Sequence, residues 1–333
     1  MFEVRAPLRL VTCEAGRRFA SAVARGLGQP LVESRESWFA CGEGKLEICE
    51  NVRGCDVYVF QSPVGPEDSH SVYDRFTMLL HAVEAAALAD SQTVTAVLPY
   101  FPGARQDKRK GRTREGISAG LFARTLEAAG AQRVLTVEIH NPAIGGMFHP
   151  ARTTLENVFL THQLSDWLRA RGLVGDVVVA PDVGGMERAR RYAAALSADL
   201  ATLSKERDYS QPNRVKRSEL IGDVAGRDVL LVDDMIDTAG SMVAAVDELR
   251  GQGARNITLA CVHAVFSGLA WERLGGIADR ASAEGWRFRV VGTSSIHHVD
   301  PPEWYLEHPI EELVAKVIRN INARWSVTQL DHR

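Results

Sequence analysis

Two adjacent acidic residues, Asp233 and Asp234, follow an apolar run in the segment Val229-Leu-Leu-Val-Asp-Asp-Met-Ile-Asp-Thr-Ala-Gly-Ser241. The apolar run predicts a buried strand, and the small residues after the acids predict a turn that opens a helix. Such a turn suits a phosphate group, because its N–H groups and the helix dipole both favour an anion. The acids cannot hold that phosphate and would be poor choices for packing alone. They suit ribose hydroxyls, bound directly or with a metal ion.

Basic and imidazole side chains follow two further predicted strands. Arg105, Lys108 and Arg109 lie in the segment 99–109, where they could meet a polyphosphate, although a solvated basic loop is the simpler interpretation. His140 ends the next strand and could bind phosphate when charged or a metal when neutral. A histidine in this position can equally be structural, so both interpretations stay open.

A third predicted strand stops at Pro181, and Asp182 follows it before the pair Gly184 and Gly185. The glycines would let the backbone approach a ligand closely at the start of the next helix. A glycine pair at a strand–helix turn is also common without a ligand.

Lys205 and Arg207 lie in Ser204-Lys-Glu-Arg207, at the start of a polar segment. Because side chains alternate along an extended backbone, both basic side chains can point the same way. An ordinary exposed strand end is the alternative interpretation.

The composition is that of a globular protein without a bias towards nucleic acid or membrane. The 333 residues include 39 basic and 42 acidic ones, which leaves a formal charge of −3 with no long run of one sign. The five cysteines form no CxxC pair, which favours a reducing compartment over a disulfide framework. The first residues lack the apolar core of a signal peptide, and no apolar run is long enough to span a membrane. We therefore expect a soluble, cytoplasmic protein.

Short β-branched runs alternate with Ala- and Leu-rich amphipathic runs along the chain, which predicts an α/β fold with parallel sheets and covering helices. Two segments, 101–116 and 206–218, break this alternation and are predicted to be irregular loops. The chain divides into halves of similar size and pattern, and we predict two domains, 1–155 and 156–325.

In order and spacing these segments resemble ribose-phosphate pyrophosphokinases, the synthetases of phosphoribosyl pyrophosphate (PRPP). The segment Val229–Ser241 alone is shared with type I phosphoribosyltransferases. The resemblance extends over nearly the whole chain and also includes Glu50–Gly54, Gln61–Ser62, Pro99–Arg109, Ile117–Ala119, Val137–His140, Pro181–Gly185, Ile221–Asp223 and Ser267–Gly268. It implies two phosphoribosyltransferase-like domains, each a mostly parallel sheet flanked by helices. The first domain would carry the ATP-binding segments, and the second would carry the PRPP motif.

The resemblance implies transfer of the β,γ-diphosphoryl group of ATP to the 1-hydroxyl of ribose 5-phosphate, with Mg²⁺, giving PRPP and AMP. It implies that Asp233 and Asp234 hold the ribose hydroxyls and help to place Mg²⁺, and that Lys205 and Arg207 are catalytic residues of a mobile loop. The remaining implied roles are 5-phosphate binding by Asp237, Thr238, Ala239, Gly240 and Ser241; diphosphate binding by Asp182, Gly184 and Gly185; ATP binding by Phe39, Glu43, Arg105, Gln106 and His140; and metal binding by His140 and Asp182. In this family a neighbouring subunit completes the adenine pocket, so a homo-oligomer built from dimers is also implied.

The chain departs from the family pattern at several positions. Cys41 replaces an Asp near the adenine segment, Gly120 replaces a Lys, and Glu138 replaces an Asp, while Ser241 keeps the hydroxyl of the usual Thr. The departures at Cys41 and Gly120 leave open a non-catalytic regulatory paralogue, and the shared segment Val229–Ser241 leaves open a type I phosphoribosyltransferase. A different sugar phosphate as acceptor is a third possibility.

Overall fold

The computed structural model describes residues 6–65, 70–207 and 215–330, and within them the side chains of all but residues 205–207, 215–218 and 329. The chain forms two compact units. The first contains the described part of Met1–Phe159 together with Ser294–His297 and Pro309–Arg333, and the second contains Leu160–Thr293 and His298–His308. Among the described residues, no helix is both long enough and apolar enough to cross a lipid bilayer.

A five-stranded parallel sheet forms the centre of the first unit. Strands β1 to β7 are Leu8–Thr12, Ser34–Trp38, Gly44–Ile48, Asp56–Phe60, Thr93–Val97, Arg133–Val137 and Thr154–Val158. Helices α1 to α3 are Arg17–Leu27, Val72–Leu88 and Ser118–Ala128. The sheet order is β1-β4-β5-β6-β7, and β2 and β3 form a separate antiparallel pair. Every residue of β4 and β5 is buried, as is typical of parallel strands covered on both faces.

The second unit is built on a seven-stranded sheet. Strands β8 to β14 are Val177–Ala180, Asp199–Arg207, Val215–Ile221, Asp228–Ile236, Asn256–Ala264, Phe288–Thr293 and Tyr305–His308. Helices α4 to α7 are Thr161–Ala170, Met186–Leu196, Gly240–Gly251 and Ala270–Glu284. The sheet order is β10-β9-β8-β11-β12-β13-β14, in which β10 alone runs antiparallel to its neighbour. The predicted α/β architecture of two mostly parallel sheets is confirmed.

The last helix, α8 (Glu311–Asn322), belongs to the first unit, although we predicted residues up to 325 in the second domain. Its buried face packs against α1, and Asn322 donates a hydrogen bond of 2.9 Å to the buried carboxylate of Asp56. The predicted boundary after residue 155 also lies four residues before the observed one. The periodicity of α8 reveals an apolar face but carries no information on which sheet that face covers.

Two sequence-based predictions were wrong in their strand boundaries. β11 does not end before the acidic pair but continues to Ile236, because it pairs with β12 as far as Ala264. The segment 206–218 is not irregular at its two ends, since β9 extends to Arg207 and β10 begins at Val215 in antiparallel register. Segment 101–116 does lie outside helices and strands, as predicted.

Candidate functional site

The carboxyl ends of β8 and β11 lie side by side, because the two strands pair in parallel as far as Val179 and Leu231. β8 ends at Ala180, whereas β11 continues to Ile236. The acidic pair therefore lies on the part of β11 that extends past the end of its neighbour. A ligand at this edge of the sheet can reach side chains from both strand–helix connections.

Arg188, in the first turns of α5, reaches across to the acidic pair on β11. Its Nη1 lies 3.1 Å from Oδ1 of Asp233 and 3.6 Å from Oδ1 of Asp234. The three side chains are largely shielded, with exposed fractions of 14% for Arg188, 22% for Asp233 and 5% for Asp234. One guanidinium thus neutralises part of the charge of two adjacent carboxylates, and ties the helix after β8 to β11.

The environment of Asp233 disfavours its ionised form. Burial, and then the neighbouring Asp234 carboxylate, raise the pKa of Asp233 well above its usual value, while the Arg188 guanidinium acts in the opposite direction. The Cys261 thiol, paired with Asp233 in the β11–β12 register, has its pKa raised by burial and by that carboxylate. A cation or a hydroxyl donor bound at this edge would favour the ionised carboxylate.

The turn after β8 is capped by the side chain of one of its own residues, Asp182. Oδ1 of Asp182 accepts a hydrogen bond of 3.1 Å from the N–H of Gly185, which precedes α5. A Cβ on Gly184 would lie 3.1 Å from that same Oδ1, so glycine leaves space for the carboxylate. Asp182 is exposed and therefore offers its charge to a ligand while it caps the turn.

The turn after β11 has a different construction. Ala239, the residue before α6, adopts a left-handed conformation with φ 60° and ψ 0°. Its methyl side chain cannot accept a hydrogen bond, and the N–H groups of Gly240 and Ser241 have no carbonyl partner within the helix. Thr238, Gly240 and Ser241 are exposed, whereas Ala239 is buried. The turn therefore presents backbone donors at a helix N-terminus, which is the geometry that binds anions.

Two residues from the segment after β12 hold this turn from outside. Ser267 donates through Oγ to the carboxylate of Asp237, and its N–H donates to the Asp237 carbonyl at 3.1 Å. Arg273, on α7, donates through Nη1 to the carbonyl oxygen of Thr238 at 2.6 Å. The conformation of the turn thus depends on a third strand–helix connection of the same sheet.

The predicted catalytic residues Lys205 and Arg207 lie on β9, which pairs with β8 through its first half. Their backbone continues the strand, but their side chains lie outside the described residues. Their predicted role stays a prediction.

In the first unit, Phe39 and Glu43 occupy the turn between β2 and β3. The N–H of Phe39 donates to the carbonyl of Glu43 at 2.8 Å, and Gly42 between them has a positive φ of 90°. Phe39 is 53% exposed, and an exposed aromatic ring is suited to stacking on a planar group. Beneath this turn, Trp38 stacks on His70 with ring centroids 4.1 Å apart.

Arg105 and Gln106 lie in the irregular segment after β5, and the structure joins this segment to the end of β6. Gln106 accepts a hydrogen bond from Ser118 at 2.5 Å, and Asp107 accepts one from Asn141 at 2.5 Å. His140, the neighbour of Asn141, is exposed, as is Arg105. The predicted polyphosphate segment and the predicted histidine are therefore brought to one edge of the first sheet.

Among the described residues, no three His, Cys, Asp or Glu side chains come together as a metal-ligand group. The predicted ligand Asp182 lies in the second unit and the predicted ligand His140 in the first. A magnesium ion needs fewer protein ligands than such a group provides, because it keeps several waters and binds substrate phosphates. The exposed carboxylate of Asp182 is chemically suited to it.

Sequence reasoning missed Arg188 and Arg273, and Ser267 entered it only as part of the family resemblance. For Arg188 a signal existed, since a basic residue in the first turn of a helix opposes the helix dipole and needs another reason to be there. Arg273 has no comparable local signal, because its partner lies on a loop 35 residues away.

Comparisons with known proteins agree over most of the chain. Residues 8–130 match the family described as the N-terminal domain of ribose phosphate pyrophosphokinase, and residues 161–293 match the phosphoribosyl transferase domain family. A ribose-phosphate pyrophosphokinase of Wolinella succinogenes is 36% identical, over 80% of this chain and 82% of that protein. One of Bacillus subtilis is 33% identical, over 97% of this chain and 96% of that protein. The crystal structure of phosphoribosylpyrophosphate synthetase from Mycobacterium smegmatis superimposes with a TM-score of 0.83 and 31% identity, over 95% of this chain and 98% of that one.

Proposed function

Since the chain belongs to the ribose-phosphate pyrophosphokinase family, we propose that it transfers the diphosphoryl group of ATP to the 1-hydroxyl of ribose 5-phosphate, giving PRPP and AMP. The observation that carries this proposal is the uncapped turn at Ala239 beside the acidic pair of β11. A phosphoribosyltransferase would account for the second matched domain only, whereas the similarity continues through residues 8–130.

We propose that the backbone donors of the turn after β11 bind the 5-phosphate, and that the acidic pair binds the ribose hydroxyls. The phosphate-binding residues are Asp237, Thr238, Ala239, Gly240 and Ser241, of which Asp237 would act through its backbone, because its carboxylate accepts a hydrogen bond from Ser267. This division follows from charge, because carboxylates accept hydrogen bonds from hydroxyls and repel phosphate, while backbone N–H groups at a helix N-terminus attract it. Asp233 and Asp234 would therefore orient the 1-hydroxyl without competing for the phosphate.

The diphosphate is proposed to lie at Asp182, Gly184 and Gly185, with Mg²⁺ held by Asp182 and by His140. Of these two, Asp182 supplies the oxygen atoms that Mg²⁺ prefers. Bound there, the ion would neutralise charge on the phosphate oxygens.

ATP is proposed to bind to residues of the first unit. Phe39 would stack on the adenine ring and Glu43 would accept a hydrogen bond from it, while Arg105, Gln106 and His140 would meet the phosphates. The exposure of Phe39, Arg105 and His140 supports these roles, since all three side chains are accessible to solvent.

In the proposed reaction the 1-hydroxyl oxygen attacks the β-phosphorus in line. The bond from the β-phosphorus to the bridging oxygen breaks, AMP leaves with that oxygen, and the hydroxyl proton passes to solvent or a nearby base. Positioning and charge neutralisation therefore provide most of the catalysis. Lys205 and Arg207 are proposed to neutralise the charge that develops on the transferring group.

The proposal extends to assembly and location. A homo-oligomer built from dimers and a cytoplasmic location are proposed from the family and from the five cysteines, which are free thiols in the structure.

³¹P NMR of the protein mixed with ATP, ribose 5-phosphate and Mg²⁺ tests the function. We expect equal amounts of PRPP and AMP, with cleavage between the α- and β-phosphorus. The double variant Lys205→Ala, Arg207→Ala should lose activity by at least about a hundredfold, because two charges that act on the transition state are removed. Pyrophosphate release from PRPP and a nucleobase, without AMP formation from ATP, would instead identify a phosphoribosyltransferase. No turnover across phosphate and metal conditions would favour a regulatory paralogue.

A further inference from the structure

Arg273 lies against the turn between β11 and α6 without belonging to it. Its Nη1 donates to the Thr238 carbonyl at 2.6 Å and lies 3.7 Å from the position that a Cβ on Gly240 would occupy. The guanidinium thus lies close to the residues before and after Ala239 in the chain, and Ala239 is the residue with the left-handed conformation.

This hydrogen bond determines the orientation of a whole peptide group. In a trans peptide the C=O of one residue and the N–H of the next point in opposite directions. Since the Thr238 carbonyl points towards Arg273, the Ala239 N–H points away from it. Loss of the guanidinium would free this peptide to rotate and would remove the donor from a fixed direction.

Arg273 acts on the turn through a hydrogen bond to a carbonyl oxygen. The side chain is exposed, and one of its five N–H donors accounts for the bond to Thr238. Because the guanidinium lies on the carbonyl side of the peptide, the peptide itself separates its charge from an anion bound at the Ala239 N–H.

We propose that Arg273 is a positioning residue for the phosphate group: it fixes the Thr238–Ala239 peptide so that the Ala239 N–H faces the anion. The ligand class is a sugar phosphate monoester, and this identification rests on the proposed function.

The chain offers a matched control on the same helix. Arg280 lies two turns further along α7 and donates to Oδ1 of Asp247 on α6 at 2.7 Å. It therefore also links α7 to α6 through an exposed guanidinium, but it contacts the side of α6 instead of the turn. Replacing either arginine removes the same charge from the same helix.

The test compares Arg273→Met, Arg273→Lys and Arg280→Met with the full-length protein. Calorimetric titration with ribose 5-phosphate, without ATP, measures binding independently of turnover, and steady-state kinetics separate KM for each substrate from kcat. We expect Arg273→Met to raise the Kd and KM for ribose 5-phosphate about tenfold or more, and to change KM for ATP by less than about twofold. Arg273→Lys should recover part of the affinity, because its ammonium group can still donate a hydrogen bond to the Thr238 carbonyl. Arg280→Met should stay within about twofold of wild type.

Equal Kd values for wild type and Arg273→Met, or equal losses in Arg273→Met and Arg280→Met, would overturn the proposal. Thermal unfolding of all three variants identifies a general structural defect, which would lower Tm and change both KM values together and would also overturn it. A wild-type protein that binds ribose 5-phosphate but forms no AMP contradicts the proposed function, and the binding comparison of the variants still decides the role of Arg273. A wild-type protein that does not bind ribose 5-phosphate overturns both.

Discussion

The turns after β8 and β11 lie next to each other at one edge of the same sheet, and each leads into a helix, yet they are built in opposite ways. In the first, the Asp182 side chain accepts the N–H of Gly185 and brings a negative charge to the helix start. In the second, Ala239 brings no acceptor and takes a left-handed conformation that Ser267 and Arg273 support from outside.

The difference shows how one topology provides two chemistries. In a turn capped by a carboxylate, a backbone N–H group already donates to that carboxylate, and the negative charge repels phosphate. Such a turn suits a phosphate that binds together with a cation. A turn without a cap keeps its donors for the ligand, and its conformation must then be stabilised by other parts of the fold. Arg188 connects the two turns, because it starts on the helix after the first and ends at the acids before the second.

The largest loss of stability and activity is expected from Arg188→Ala, which removes the side chain that connects the two turns. Removing the guanidinium leaves Asp233 and Asp234 without the ion pair, and we expect about 2–3 kcal/mol lower unfolding free energy and roughly a hundredfold lower kcat/KM. Arg190→Ala is the control, because Arg190 is on the same helix in an exposed pair with Glu187 at 2.9 Å. That change should cost less than about 1 kcal/mol. If urea unfolding shows similar losses of unfolding free energy for the two variants, the buried ion pair of Arg188 does not contribute specially to stability.

Substitutions of Ala239 are expected to have a smaller effect on stability and on ribose 5-phosphate binding. Ala239→Val places a β-branched side chain at a φ of 60°, and we expect about 2 kcal/mol lower stability and about tenfold weaker ribose 5-phosphate binding. Ala239→Gly should keep binding and gain up to about 1 kcal/mol, because glycine adopts this conformation without strain. Thermal unfolding and calorimetry measure both quantities. If Val is tolerated as well as Gly, the left-handed conformation is not needed.

Substitutions of Asp182 separate the capping role from the charge. Asp182→Ala should lower stability by about 1 kcal/mol through the lost cap and should raise the Mg²⁺ concentration required for activity. Asp182→Asn keeps a capping oxygen, so its stability should remain close to wild type while its Mg²⁺ requirement still rises. An unchanged Mg²⁺ titration in both variants would remove Asp182 from the metal site.

The smallest effect on stability and activity together is expected at the other end of β11. Asp228 lies there and serves as a reference residue, whose substitution should change stability but not activity. Its pKa is lowered by hydrogen bonding to Arg255, against the effect of burial, with Asn256 and the charges of Arg255 and Arg287 contributing. A lowered folded-state pKa stabilises the fold above the unfolded-state value near 4, and this contribution is lost as pH falls through the folded-state value.

Asp228→Asn should therefore lower stability by about 1 kcal/mol at pH 7 and by progressively less as pH falls below the unfolded-state value near 4, with unchanged kinetics. Urea unfolding as a function of pH measures the difference between the two proteins. A difference that is constant with pH would exclude the carboxylate as its source.

Much of the fold followed from local pattern. The apolar pattern of the sequence predicts a helix over Gly240–Gly251 and a strand over Leu8–Thr12, and the structure has α6 and β1 with these bounds. The strands missed by prediction, such as β2 and β14, are short and contain few apolar residues, so their sequences carry little signal for a strand. The extent of β11 depended on its pairing with β12, which a single segment does not encode.

The sequence by itself determined which chemical groups the protein has and in what order, including the acids Asp233 and Asp234 and the small residues of the turn that follows. The tertiary structure alone decided what surrounds them, namely Arg188 against the acids, Ser267 and Arg273 against the turn, and α8 in the first unit instead of the second. The physical reason is the range of the interactions. Backbone conformation and helix periodicity arise between residues a few positions apart, whereas ion pairs and hydrogen bonds between loops exist only after the parallel strands have taken their order in the sheet.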